Sequence, residues 1–437
     1  MRHMPPAISS LRFPFELKKD QIEAAEAWIQ NSCRGSVIFS TGTGKTEIAF
    51  ECARRAAGLS GKECFTILFL VPRIVLIGQN VARLQNYGIS EGHVGVYYGE
   101  RKDVREITIS TYQSAINNFE LIRRADMVVL DEVHLVSETA VEYDRIFDII
   151  VEDSKKAILG LTATINEKDP KYRTILTVAP PVKRYMIKDA VTDGRLAKPV
   201  VMPVEVAFTP EEQKSYDEAS KAIKDISRKL QTYEPAKMTK ILMRGGLRAS
   251  LAKMWFAQVR KRKQLLSATK QKLLKAVEIV KRHPGERIMI FSETIDSIQQ
   301  LRDLLEADGV PAQTIHNGIK PRERKEILDS WGDSYFPLLS VHTLELGYDV
   351  PQVGIAIIIA STSNINQVAQ RIGRVVRKAE GKEQALVYIV YVGKTKDDNV
   401  LTVVKAAVEK ESERAARALS RGNKRPTQGQ KTITKFS

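Results

Sequence analysis

Short apolar runs alternate with amphipathic stretches along most of the chain. The runs at residues 36–39, 66–71, 107–110, 127–130 and 157–161 have the length and continuous hydrophobicity of strands buried on both faces. Between them, stretches such as "DQIEAAEAWIQ" and "TEIAFECARRAAG" repeat apolar residues at helical spacing. The alternation predicts a parallel sheet covered by helices, which is the α/β class.

The alternation stops at about residue 168 and resumes after residue 283. The intervening sequence is lysine-rich and helical in pattern, with Thr209 as a predicted helix N-cap ahead of Pro210. A second set of strands is then predicted at 287–291, 313–315, 337–341, 354–359 and 385–391. We therefore expect two α/β domains, at residues 1–200 and 201–400, a basic helical insertion at about 210–270, and a flexible basic tail at 401–437.

Charge adds a class of partner to this picture. The 437 residues carry a net charge of +16, and an excess of that size favours a polyanion such as nucleic acid. Residues 235–275 contain twelve Lys or Arg and no acid, interleaved with apolar residues, so a basic helix face is expected there. The seven Lys or Arg of residues 414–437 are as consistent with a solvated, flexible tail as with a functional basic segment. Trp255, in the first basic region, either stacks on a base or packs in a core.

The sequence lacks the features of a membrane, secreted or zinc-binding protein. No apolar run approaches the roughly 20 residues of a membrane span, and the N-terminus has no signal-peptide core. A cytoplasmic protein without a membrane partner is expected. Three cysteines without zinc spacing are expected to be buried or free thiols, not disulfides or metal ligands.

The stretch "FSTGTGKTE", residues 39–47, follows a predicted strand and opens a predicted helix. Gly42 and Gly44 allow positive φ, so that backbone amides form an anion-binding nest with Thr41 and Thr43 at the helix N-terminus. Lys45 is then placed to reach the β- and γ-phosphates, and the adjacent threonine hydroxyl, Thr46, to hold Mg²⁺. The pattern predicts a triphosphate site, although Phe39 stands where such loops have a small residue.

A second segment supplies acids. In "MVVLDEVH", residues 127–134, an apolar strand ends in Asp131 and Glu132. Asp131 is predicted to bind Mg²⁺, and Glu132 to position or deprotonate the attacking water. In an α/β sheet such strand ends share one ligand crevice.

A third segment, "QVAQRIGRVVR" at residues 367–377, lies in the second domain. Gln370, Arg374 and Arg377 share one helix face. Guanidinium groups delivered to a γ-phosphate from a separate domain stabilise the transition state, so hydrolysis is predicted to depend on domain closure.

Together with "LVPRIVLIGQ" (70–79), "ISTYQSA" (109–115), "LTAT" (161–164), "IMIFSE" (288–293) and "LELGYDVPQV" (344–353), these segments have the order found in superfamily 2 DExH helicases. The chain resembles most closely the archaeal XPB-type DNA helicases, over residues 15–393. The resemblance implies two RecA-like parallel-sheet domains in tandem with a helical, thumb-like insertion. It departs from the family at residues 167–169, where "EKD" replaces an Arg-Glu-Asp triplet.

The resemblance also implies roles for further residues. Gln21 corresponds to a glutamine that recognises adenine, although an exposed helix position is an equal alternative. Gly347 and Asp349 correspond to residues that approach ATP across the cleft. Residues placed like the family's contacts to the nucleic-acid backbone are Arg73, Thr111 and Thr343.

The activity implied is an ATP- and Mg²⁺-dependent helicase or translocase moving 3′ to 5′ on single-stranded or forked DNA, in nucleotide excision repair or transcription. The family also implies a nuclease partner protein. Three alternatives stay open: a double-stranded DNA translocase that does not unwind, an RNA helicase, and an ATP-regulated DNA clamp.

Overall fold

The structure is a computed structural model that describes residues 5–139, 141–165, 167, 169–341, 353–360, 368, 371–373, 375–377 and 382–409. These residues form two β-sheets with flanking helices, and three helices project from the second sheet. Several residues of the sequence predictions lie outside the described residues: Thr343, Gly347, Asp349, Gln370, Arg374 and the tail after residue 409.

The first sheet has eight strands in the order β4-β3-β5-β2-β6-β7-β1-β8. Its strand pairs are parallel apart from β3 with β4 at one edge. The five strands that the sequence predicts for this domain are confirmed, and they form the centre of the sheet. The strands are β1 (Arg34–Phe39), β2 (Ile67–Val71), β3 (Val94–Tyr98), β4 (Arg101–Lys102), β5 (Ile107–Thr111), β6 (Met127–Asp131), β7 (Ala157–Thr162) and β8 (Pro181–Tyr185).

Apolar residues fill both faces of this sheet. Within β2, Phe69 belongs to the core on one face, whereas Leu68 and Leu70 belong to the core on the other. Phe39 is fully buried, with its ring 5.2 Å from that of Tyr185, which explains a large residue at this position. The covering helices are α1 (Lys19–Gln30), α2 (Lys45–Ser60), α3 (Ile74–Asn86), α4 (Tyr112–Ile116), α5 (Glu120–Arg124), α6 (His134–Thr139), α7 (Val141–Glu152), α8 (Arg173–Val178) and α9 (Ile187–Thr192).

The second sheet has six parallel strands in the order β11-β12-β10-β13-β14-β9. All five strands that the sequence predicts for it are confirmed. The sixth, β9, pairs with β14 along its whole length, so the chain passes from one sheet to the other before Lys198 and the predicted boundary at residue 200 falls inside a strand. The strands are β9 (Lys198–Val206), β10 (Ile288–Ser292), β11 (Gln313–Ile315), β12 (Pro337–Val341), β13 (Ile355–Ile358) and β14 (Gln384–Val392).

Three helices between β9 and β10 form the predicted insertion, here named the arm: α10 (Pro210–Leu230), α11 (Pro235–Met243) and α12 (Gly246–Ser267). Thr209 caps α10 as predicted, since its hydroxyl accepts a hydrogen bond from the Glu212 amide. The arm has its own small core, in which Trp255 is buried and donates a hydrogen bond to Ser227 Oγ at 2.9 Å. The stacking prediction for Trp255 is therefore wrong, because its ring is enclosed between α10, α11 and α12.

In the described part of the second domain, the further helices include α13 (Lys270–Lys281), α14 (Ile295–Ala307), α15 (Pro321–Asp329) and α16 (Asp398–Glu409). Apolar residues of α13 and α14 form a core against one face of the second sheet. Among the helices that the structure describes, none has a stretch that is long and apolar enough to cross a membrane.

Candidate active site

The loop from Ser40 to Gly44 joins β1 to α2 and has the geometry of an anion-binding turn. Gly42 and Gly44 have φ angles of +85° and +84°, as predicted, and this region strongly favours glycine. The Thr43 hydroxyl donates a hydrogen bond of 2.7 Å to the Ser40 carbonyl, which closes the turn. The first amides of α2 therefore sit at the mouth of a fixed loop, where the helix dipole favours phosphate.

Gln21 braces this loop from α1. Its Nε2 donates to the carbonyl oxygens of Thr43 and Gly44, at 3.3 and 3.2 Å, and its Oε1 accepts from the Lys18 amide at 2.8 Å. Only 4% of the residue is exposed, so the interpretation of Gln21 as an exposed helix position is wrong. Adenine recognition by Gln21 stays a prediction.

Arg195 also holds the loop, and sequence reasoning missed it. Its guanidinium donates to the Thr43 carbonyl at 2.6 Å, pairs with Asp20, and lies 5.4 Å from the centre of the Tyr185 ring. Burial, reinforced by the hydrogen bond to Asp193, raises the pKa of Tyr185, so its hydroxyl stays protonated. No local sequence signal links Arg195 to a loop 152 residues away, because the contact is made by the connection between the two sheets.

The predicted lysine and carboxylates meet at this loop. Lys45 Nζ donates to the Phe39 carbonyl at 3.2 Å and lies 3.8 Å from Glu132 Oε1. Asp131 ends β6, next to β7 in the sheet, and its carbonyl accepts a hydrogen bond from the Tyr112 hydroxyl at 2.7 Å. The prediction that the two segments share one crevice is thus supported directly by the Lys45–Glu132 distance.

Burial, together with the neighbouring Glu132, raises the pKa of Asp131 to about 7, against the influence of Lys45. A bound divalent cation would lower that pKa, because it stabilises the carboxylate.

The donor set suits Mg²⁺, which prefers oxygen ligands and usually binds few protein groups together with substrate phosphates. Asp131 and Thr46 supply such oxygens, and Glu132 Oε2 is buried without a hydrogen bond from any described residue. Within the described ranges, no group of three or more His, Cys, Asp or Glu side chains is placed to hold a metal. The site therefore fits a cation held jointly with a nucleotide.

Glu132 begins a polar chain toward the "LTAT" segment. Its backbone has a φ of +52°, in the left-handed region that is rare for non-glycine residues and often marks functional sites. Its Oε2 lies 3.5 Å from His134 Nδ1, which lies 3.0 Å from the Thr162 hydroxyl. Thr162 in turn donates to the Thr164 carbonyl at 2.9 Å. A change at the Glu132 carboxylate can thus reach the end of β7 through buried polar contacts.

A segment of the second domain, described at residues 371–373 and 375–377, lies against the same loop. A Cβ atom built on Gly373 would be 2.7 Å from Thr41 Cβ, so no larger residue fits there. A Cβ atom built on Gly42 would be 3.2 Å from Arg377 Cγ. The backbone of this segment is fixed from the other side by a 2.7 Å hydrogen bond from the Ala197 amide to the Val376 carbonyl. Arg377 is therefore beside the phosphate loop, as the sequence predicts.

The predicted nucleic-acid residues of the first domain lie at the same sheet edge. Thr111 ends β5 in register with Val71, the last residue of β2, and Arg73 follows two residues later as the N-cap of α3. Thr111 is buried, and its hydroxyl caps α4 by accepting a hydrogen bond from the Ser114 amide. Its first role is local, and contact with nucleic acid by Thr111 and Arg73 stays a prediction.

Two family models match the chain. The one described as "Type III restriction enzyme, res subunit" matches residues 14–167, and the one described as "Helicase conserved C-terminal domain" matches residues 269–379. The first range contains strands β1 to β7 of the first sheet, and the second contains strands β10 to β13 of the second sheet.

Similar curated proteins include the DNA 3′-5′ translocase XPB2 of Sulfurisphaera tokodaii, with 28% identity over 88% of this chain and 85% of that protein. The DNA 3′-5′ helicase XPB of Mycobacterium tuberculosis is 26% identical over 84% of this chain, which spans only 59% of that relative's length.

Two solved structures share the fold. One is the ATP-dependent Type ISP restriction-modification enzyme LlaBIII bound to DNA, with a TM-score of 0.62, 17% identity, and coverage of 95% of this chain and 31% of that one. The other is the Pyrococcus furiosus Hef helicase domain, with a TM-score of 0.54, 17% identity, and coverage of 89% and 99%. The architecture is thus that of tandem RecA-like helicase domains. The two matched domain models and these relatives support a superfamily 2 helicase close to the XPB type.

Proposed function

We propose that the protein is an ATP-driven motor of the XPB type that moves 3′ to 5′ on DNA and separates its strands. One observation carries the proposal: Gly373 and Arg377 of the second domain lie against the phosphate loop of the first. A γ-phosphate held by that loop would contact both domains, so its loss on hydrolysis removes contacts that favour closure. Cycles of closing and opening then move two grips on the DNA relative to each other.

In this proposal, the loop residues Thr41, Gly42, Thr43 and Gly44 bind the phosphates through backbone amides, and Lys45 neutralises the β- and γ-oxygens. Thr46 and Asp131 would hold Mg²⁺, which supplies charge neutralisation at the transferred phosphoryl group. Glu132 orients the attacking water and accepts its proton.

The second domain would provide the charge that the transition state requires. Arg377 is near enough to the loop to reach a γ-phosphate by rotation of its side chain, and Arg374 and Gln370 act beside it. Gln21 reads the adenine, and Gly347 and Asp349 approach the nucleotide from the same domain as Arg377.

DNA would bind along the carboxyl edges of both sheets, where backbone phosphates meet Arg73, Thr111 and Thr343. The arm adds a cavity of about 520 Å³, lined by four cations and no acid: Lys237, Lys240, Arg244 and Arg248. Contacts to phosphate fix the position of the protein on DNA without reading the base sequence. Because cationic side chains that bind phosphates release counterions from the DNA, DNA binding is expected to weaken steeply as the salt concentration rises.

The resemblance to XPB proteins extends the proposal to nucleotide excision repair or transcription, to a nuclease partner protein, and to action at the nucleoid in the cytoplasm. The names of the relatives, DNA 3′-5′ translocase and DNA 3′-5′ helicase, support the substrate and the direction.

The decisive experiment is strand displacement on duplexes with a 3′ or a 5′ single-stranded tail, with ATP and Mg²⁺. The proposal predicts unwinding of the 3′-tailed duplex only, and none by Lys45→Ala. Displacement of a triplex-forming strand without unwinding would instead indicate a double-stranded DNA translocase. ATPase stimulation by RNA but not DNA would indicate an RNA helicase.

A DNA clamp regulated by ATP is the remaining alternative. For a clamp, Glu132→Gln traps a bound state that still performs its role, whereas a motor loses all movement. Measuring DNA retention and strand displacement of this variant in parallel separates the two.

A further inference from the structure

Glu293 lies where the arm, the second sheet and the segment facing the phosphate loop meet. It follows β10 directly, and only 2% of its side chain is exposed. Each carboxylate oxygen faces a different cation: Oε1 is 3.1 Å from Arg371 Nη2, and Oε2 is 2.7 Å from Lys263 Nζ. A buried carboxylate is costly unless its charge is paired, so both cations stabilise Glu293.

The two cations belong to different moving parts. Lys263 is in the last two turns of α12, at the base of the arm, and about half of its side chain is exposed. Arg371 is almost fully buried and donates a second hydrogen bond, of 3.4 Å, to the Ala360 carbonyl after β13. Among the described residues, Glu293 thus links the arm to the segment that contains Arg371.

That segment leads directly to the nucleotide site. Gly373, two residues after Arg371, packs on Thr41, and Arg377 packs beside Gly42. From the arm to the phosphate loop the contacts therefore run Lys263, Glu293, Arg371 and then Gly373. The first two steps are ion pairs, Arg371 and Gly373 are two residues apart in the same segment, and Gly373 packs on Thr41.

We propose that Glu293 is a positioning residue that couples the arm to ATP hydrolysis: DNA held by the arm orients residues 371–377 through Lys263, Glu293 and Arg371. This inference rests on the proposed function, because it needs DNA as the activator. Arg371 is the described residue through which Glu293 and Lys263 are expected to act on the rate.

The test is the ATPase rate of Lys263→Met with and without saturating DNA. The matched control is Lys261→Met, which removes an exposed cation from the same helix two residues away. We expect Lys263→Met to keep the basal rate and to lose at least fivefold of the stimulation at saturating DNA. Lys261→Met should keep full stimulation, and Lys263→Arg should restore it.

Saturating DNA is essential, because the loss of a cation that only binds phosphate changes the DNA concentration that gives half-maximal stimulation and leaves the maximal ATPase rate unchanged. Equal maximal stimulation of Lys263→Met and Lys261→Met overturns the coupling. So does a fall in basal rate that equals the fall in stimulated rate, which would mark a structural role.

A double-mutant cycle gives a second, independent readout. If Lys263 acts through Glu293, then Glu293→Gln should make the effect of Lys263→Met on stimulation disappear, whereas additive losses overturn the pathway. Melting temperatures identify any variant that fails to fold. Absence of DNA stimulation in the unmodified protein would defeat the proposed function itself, and is thereby distinct from a failure of the coupling.

Discussion

Two buried lysine–carboxylate pairs, one in each domain, differ in how completely they are satisfied. In the first domain, Lys45 Nζ and Glu132 Oε1 are 3.8 Å apart, and each side chain is 11% exposed. In the second, Lys272 and Asp397 are in direct contact, with side chains 0% and 7% exposed. Lys272 also donates to the Ile359 carbonyl at 2.7 Å, and Asp397 accepts from the Val392 amide at 3.1 Å.

The difference indicates that the first pair belongs to a functional site and that the second pair is a structural contact. The first pair leaves Glu132 Oε2 without a hydrogen bond from the described residues, which is a cost to the fold and an opening for a ligand. The second pair ties α13 to the loop before α16 and has its charge matched within the protein. We expect the first pair to matter for chemistry and the second for stability.

The largest effect is expected from Glu132→Gln. Loss of the general base should lower kcat for ATP hydrolysis about 10²- to 10⁴-fold. The free energy of unfolding should change little, because Glu132 Oε2 has no hydrogen bond from the described residues and Glu132 Oε1 is 3.8 Å from Lys45 Nζ. Steady-state ATPase assays and urea denaturation of the same preparation measure both. A loss of stability without a loss of kcat would reverse the assignment.

Asp397→Asn should show the opposite behaviour. Removing one partner leaves a buried ammonium without its counter-charge, so the free energy of unfolding should fall by about 3–5 kcal/mol. The kcat of the folded fraction should stay near that of the unmodified protein. Urea denaturation with a parallel ATPase assay tests this, and an undiminished midpoint would show that the pair is dispensable.

Gln21→Ala should have an intermediate, binding-specific effect. It removes two hydrogen bonds to the phosphate loop, each with a net contribution of about 1 kcal/mol, so the KM for ATP should rise about tenfold or more. The kcat should be little changed. If Gln21 also reads adenine, the preference for ATP over GTP should fall; an unchanged KM would exclude both roles.

The smallest effect is a dependence of stability on pH from Lys272. Burial lowers the pKa of Lys272, outweighing the opposing influence of Asp397. Between that lowered pKa and the ordinary lysine value of about 10.4, the unfolded chain binds more protons than the folded protein. The free energy of unfolding should therefore rise with pH in this window. Lys272→Met should lack this rise, and identical slopes for the two proteins would contradict it.

Much of the fold is readable from local pattern. All ten predicted strands are present, because buried parallel strands are continuous apolar runs that few other structures produce. The strands that were missed, β3, β4, β8 and β9, lie at or next to a sheet edge, and they carry exposed or half-buried residues and therefore lack that signal. Because β9 was missed, the predicted boundary at residue 200 falls inside that strand.

The phosphate loop was predictable for a similar reason: positive φ at Gly42 and Gly44 is a local requirement with a local residue signature. Long-range contacts have no such signature. Arg195 reaches the loop from the connection between the sheets. The ion pairs of Glu293 are formed with Lys263 and Arg371, which are 30 and 78 residues away in the sequence. The burial of Trp255 likewise depends on how α10, α11 and α12 pack.

The central claim is that ATP is hydrolysed only when the second domain lies against the phosphate loop. Single-turnover hydrolysis of bound ATP by Arg377→Ala tests it most directly, with Arg322→Ala, a fully solvated arginine of α15, as the matched control. We predict that Arg377→Ala binds ATP within about threefold of normal but hydrolyses it about 10³-fold more slowly. Hydrolysis by Arg377→Ala at the rate of Arg322→Ala would contradict the account.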